Sequence, residues 1–183
     1  MPVLRRSAGS ITGGAIFVAV TLRRTLPWVL ALSLALAGAA AARPASPWAT
    51  VNVCDTADSP DTIGIRGSMT GSGSAGQELF MRFQVQFQRP DGSWHSIGAN
   101  GDSGFVDVGG GRARVARQAG RSFRVSPPAA GSVYTLRGLV TFEWRAKGGS
   151  VSRRARRRTT GGHRSTAGAD PAGFTAAVCT ISA

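Results

Sequence analysis

Residues 79–87 read LFMRFQVQF, and the reading of this stretch governs the reading of the rest. Leu79, Met81, Phe83, Val85 and Phe87 fall on one side of an extended chain, and Phe80, Arg82, Gln84 and Gln86 on the other. That period of two is the pattern of a half-buried strand. Just beyond it, Asp91-Gly92 suits the positive φ angles of a two-residue type I′ turn, and Ser93 to Ile97 returns with Trp94 available for packing. Further on, Val133 to Arg145 predicts a second long strand, with Tyr134, Leu136, Val140, Phe142 and Trp144 on one face and Arg137, Thr141, Glu143 and Arg145 on the other. It turns back through Lys147-Gly148-Gly149-Ser150 into Val151 to Thr159. If Gly148-Gly149 form a two-residue turn, Glu143 falls opposite Arg154 and the two can form an ion pair.

Shorter strands are predicted at Thr50 to Asp55, Thr62 to Met69, Phe105 to Val108, Arg121 to Ser126 and Gly173 to Ile181, separated by Gly, Pro, Ser and Asp clusters. Past the first 42 residues no helical periodicity is present. Many short strands with turn chemistry between them predict an all-β, antiparallel sandwich: one domain over residues 50–183, without internal repeat, after a short linker at 43–49.

Ahead of the linker, Leu26 to Ala42 reads LPWVLALSLALAGAAAA, an apolar run preceded by Arg23 and Arg24 and closed by small residues. Residues 1–42 are therefore expected to be a signal peptide cleaved near Ala42, residues 1–20 being an extension that a later start codon would omit. The run is shorter than the roughly 20 apolar residues of a membrane span, and no second such stretch follows, so the expected product is secreted and free of a membrane anchor. The 183 residues carry 22 Lys+Arg against 9 Asp+Glu, with Lys147 the sole lysine. Removing the four arginines of the leader leaves 18 basic and 9 acidic residues, a net +9.

Cys54 and Cys179 are the only cysteines, and an oxidising compartment favours a disulfide that ties the first strand to the last. Two cysteines so far apart, with His95 and His163, offer no metal-ligand spacing, so no metal or other cofactor is expected.

Tyr134-Thr135-Leu136 leading to Phe142-Glu143-Trp144, a Gly turn and a basic strand resembles the last hairpin of immunoglobulin-like and fibronectin type III-like sandwiches, with Tyr134 near the tyrosine-corner position. The hairpin from Phe87 through Asp91-Gly92 to Trp94 resembles small secreted immunoglobulin-like proteins of high-GC bacteria. The cysteines depart from that pattern, because they sit at the domain ends instead of joining two central strands.

Chemistry-bearing motifs are few. Gly71-Ser72-Gly73-Ser74-Ala75-Gly76 has the letters of a dinucleotide fingerprint, but a strand follows where the fingerprint needs a helix, so it reads as a connecting loop. His95 and His163 read as surface histidines. Asp55, Asp58 and Asp61, and Asn100 with Asp102, are hard oxygen ligands that read as turn residues. No nucleophile elbow, zinc-protease helix or phosphate loop is present, and no catalytic residue is assigned.

The run RRARRR at 153–158 stands out. On a strand it places Arg154, Arg156 and Arg158 on one face, and Arg153, Ala155 and Arg157 on the face shared with Val151. Arginines repeating every ~6–7 Å suit the oxyanions of a polymer, and Arg112, Arg114, Arg117, Arg121 and Arg124 form a second basic segment. Arginines on an edge strand also block edge-to-edge aggregation. The aromatics do not interleave with the run, and no nucleic-acid motif is present, so specific nucleic-acid recognition is not expected. The expected function is a secreted, non-enzymatic binding or structural module. Its partner would be an anionic cell-envelope polymer, met through Arg153, Arg154, Arg156, Arg157 and Arg158. The alternatives are a protein-binding or inhibitor domain using the loops Ser68 to Gly76 or Asn100 to Gly104, and a small secreted hydrolase.

Overall fold

The alternation at 79–87 survives intact in three dimensions: in the computed structural model Leu79, Met81, Phe83 and Val85 are all fully buried, while Phe80, Arg82, Gln84 and Gln86 are half-exposed. The structure describes residues 45–164 and 166–183, so the expected leader and its cleavage site lie outside the described residues. These hold nine strands: β1 (Trp48–Thr56), β2 (Ser59–Thr70), β3 (Glu78–Gln88), β4 (Trp94–Ser96), β5 (Asp102–Gly110), β6 (Ala116–Arg124), β7 (Val133–Arg145), β8 (Val151–Arg158) and β9 (Cys179–Ser182). β1 begins at Trp48, inside the stretch read as linker, because Ala49 and Val51 are core residues.

All strand pairs are antiparallel and form two sheets. One has the order β1-β2-β6; the other has the order β4-β3-β7-β8, with β5 also on β3 and β9 also on β7. The apolar core lies between them. Ala49, Val51, Ile63, Ile65 and Met69 come from the first sheet, and Leu79, Met81, Phe83, Val85, Leu136, Val140, Phe142, Trp144, Cys179 and Ile181 from the second. Burying a large aliphatic or aromatic side chain contributes about 1.5–3 kcal/mol, so these inward faces fix the register of β1, β2, β3, β7 and β9, the strands that supply them.

Two turns depart from the sequence reading without changing the outcome. The β3-β4 connection is not a type I′ turn on Asp91-Gly92: Gly92 alone has positive φ, and its N–H bonds the Arg89 carbonyl at 2.9 Å across Pro90 and Asp91. Proline holds φ near −65° and places the turn one residue earlier. Between β7 and β8, the Ala146 N–H bonds the Ser150 carbonyl, so the loop is Lys147–Gly149, three residues and not two. A bulge between Trp144 and Arg145 absorbs the extra residue, and Glu143 still pairs with Arg154.

Cys54 of β1 and Cys179 of β9 are disulfide-bonded, with Cα atoms 5.3 Å apart. The loop they close spans 125 positions, and a loop of about 100 residues is worth up to about 4.7 kcal/mol of chain entropy. Among the described residues no helix is long and apolar enough to cross a membrane.

Candidate functional site: an arginine-lined groove

The outward face of the larger sheet is a grid set by register. Across β3, β7 and β8, one row holds Phe80, Glu143 and Arg154; the next holds Arg82, Thr141 and Arg156; the next Gln84, Leu139 and Arg158. In the last row Gln86 stands between Ser96 of β4 and Arg137 of β7. The predicted stripe of Arg154, Arg156 and Arg158 lies on this one face, and all three are exposed.

The arginines of the run nevertheless have different surroundings. Arg154 donates to Glu143 Oε1 through Nε at 2.7 Å, and Arg145 donates to Oε2 through Nε and Nη2 at 3.0 and 2.8 Å. Glu143 is 1% exposed beneath them. Burial pushes its carboxyl up, but the two guanidinium groups outweigh that and hold it below the usual carboxylate range. Beside this cluster, Arg145 stacks over Phe80 at 3.8 Å, and Arg82 makes a bidentate pair with Asp102. Arg153 and Arg157 belong to the opposite face: Arg153 stacks over Trp144 at 4.3 Å, and Arg157 donates to the carbonyls of Pro47 and Arg156.

Arg156 and Arg158 have no such partners. Among the described residues neither makes an ion pair. They line a groove of about 430 Å3 with Gln86, Trp94, Arg137 and Leu139. Arg137 is set in place there: its Nε donates to Gln86 Oε1 at 2.9 Å and its guanidinium sits 4.0 Å over the Trp94 ring. Its two terminal amino groups make no hydrogen bond among the described residues. Burial, and then the Arg158 charge, lower its pKa. Three cations thus converge on a groove whose lining includes no acid, an arrangement suited to binding an oxyanion through guanidinium forks.

Arg137, Gln86 and Trp94 were missed in the sequence reading because they lie far along the chain from 153–158; only the β4-β3-β7-β8 order joins them. The second basic segment does not extend the groove, since Arg117, Arg121 and Arg124 lie on β6 of the other sheet.

The remaining candidates are absorbed by local structure. Asp55 accepts the Asp61 N–H at 2.8 Å, and Asp102 is held by Arg82, Gln84 and the Gly104 N–H. Among the described residues no group of three His, Cys, Asp or Glu could hold a metal. Ser93 Oγ lies between Asp91 Oδ1 at 2.6 Å and His95 Nε2 at 3.0 Å. A hydrolytic triad needs the imidazole in the middle, so this order does not make Ser93 a nucleophile of that kind. His163 stacks on Trp48 at 4.2 Å, and burial lowers its pKa. The Gly71–Gly76 stretch leads into β3, and Gly71 packs against the Gly111 backbone so closely that no Cβ would fit. Tyr134, opposite Ile181 of β9, is exposed. No protein-family model matches the chain, and none of the curated proteins compared matches it.

Proposed function

We propose that this chain is a secreted, non-enzymatic binding module of a fibronectin type III-like sandwich, whose ligand is an anionic polymer of the cell envelope. The strand orders β1-β2-β6 and β4-β3-β7-β8 support this reading, with β5 and β9 as additional strands on β3 and β7 that make the larger sheet six-stranded. The disulfide fits an oxidising location. One observation carries the functional reading: Arg137, Arg156 and Arg158 are held together without a carboxylate, so the counter-charge comes from outside. Like charges brought together repel, and a bound polyanion turns that cost into affinity.

Co-sedimentation of the purified domain with envelope material and defined polyanions across a salt series tests the proposal. Binding weakens as salt rises and is lost in the Arg137→Ala/Arg156→Ala/Arg158→Ala variant, whereas Arg153→Ala/Arg157→Ala retains it. Equal loss in both variants, or no binding by the parent, would sink the reading.

A further inference from the structure

The groove holds more than charge, and its apolar part narrows the ligand. We infer that the bound polymer is an acidic polysaccharide, with a sugar ring packed against Trp94 and Leu139 and its carboxylate or sulfate on the free amino groups of Arg137; this rests on the polyanion reading above. The indole is half-buried, lines the groove and is fixed by the Arg137 stack at 4.0 Å. Leu139, also half-exposed, lies between Gln84 of β3 and Arg158 of β8. The Gln86 Nε2 amino group makes no hydrogen bond among the described residues, and it adds a neutral donor suited to a hydroxyl.

Pyranose rings present apolar C–H faces between hydroxyls and an oxyanion, and this mix of one ring, one aliphatic side chain, one amide and three guanidinium groups matches them. An inorganic polyanion has nothing to place on Trp94 or Leu139. Single-stranded nucleic acid does, but proteins that track it present successive rings for successive bases, and Trp94 is the one aromatic residue lining this groove. Arg156 and Arg158, two residues apart on β8, continue the groove with charge alone, which suits further acidic groups along the same polymer.

The test compares polygalacturonate, dextran sulfate, neutral dextran, inorganic polyphosphate and oligo-dT at one salt concentration, with the parent domain, Trp94→Ala and Trp94→Phe. The expected result is tightest binding to the two acidic polysaccharides and none to neutral dextran. Trp94→Ala should lose at least tenfold on those polysaccharides and less than twofold on polyphosphate, with Trp94→Phe in between and all three proteins melting alike. If Trp94→Ala loses equally on polyphosphate, Trp94 only supports Arg137 and the sugar assignment fails while the polyanion reading stands. Tightest binding to oligo-dT overturns the assignment in favour of nucleic acid. No binding to any anion removes the polyanion reading itself.

Discussion

Two ends of one sheet face carry the same kind of residue and use it in opposite ways. At the Glu143 end, Arg145 and Arg154 cover a buried carboxylate, Arg145 lies on Phe80, and Arg82 closes on Asp102. At the Arg137 end, three arginines share a groove without an acid among its lining residues. At the first end all three guanidinium groups are paired within the fold, on two carboxylates; at the second none of the three has an acidic partner among the described residues. What separates them is register, since a shift of two residues along β8 would give Glu143 to Arg156 and leave Arg154 free.

The comparison breaks most visibly at Glu143. Glu143→Ala removes hydrogen bonds from two guanidinium groups and should cost about 2–3 kcal/mol, within the range for charge-assisted bonds, measured by urea unfolding. A loss below about 0.5 kcal/mol would mean that the cluster is no more than an exposed ion pair. The same carboxylate sets a pH dependence. The pKa values of Glu143 and Asp102 are both depressed in the fold, so their stabilisation is fully present above the unfolded carboxyl values near ~4. It is lost as pH falls through the folded values, because the unfolded chain takes up these protons first. Glu143→Gln should reduce the acid-side slope of Tm against pH.

Smaller effects sharpen the contrast. Arg158→Ala should weaken polyanion binding about tenfold, or ~1.4 kcal/mol, whereas Arg154→Ala, whose guanidinium is already engaged by Glu143, should change it less than twofold. Titration of both variants at one salt concentration decides the point, and equal losses would erase the distinction between the two ends. Smallest of all, Arg158→Ala should leave stability unchanged or raise it by a few tenths of a kcal/mol by relieving repulsion on Arg137, which differential scanning calorimetry can read.

Much of the fold was legible because strands have a period of two. Residues 79–87 and 133–145 each showed which side carries the apolar core, although in the second Tyr134 is exposed while Thr141 and Glu143 on the other side are buried, and the Glu143–Arg154 pairing followed from the turn even though the turn has a different length. β6 was harder: it begins at Ala116, ahead of the predicted Arg121, because its first half offers the core only Ala119 and reads as polar loop. The site was half legible. The arginine run advertises itself, but the partners that quiet Arg153, Arg154 and Arg157 are Trp144, Glu143 and the carbonyls of Pro47 and Arg156, each set by pairing or by tertiary contact. Trp94 and Arg137 are 43 positions apart and carry no motif; strand order alone stacks one on the other. Along the chain the aromatics do not interleave with the basic run, yet across the sheet one of them does.

The bond between Cys54 and Cys179 also decides how the domain responds to force. Tension applied to the chain on either side of these residues passes through the sulfur atoms and bypasses the segment between them. β2 through β8, and with them the arginine groove, lie wholly inside that covalent loop. Pulling can peel the start of β1 and the end of β9, but it cannot unravel the face that carries the groove.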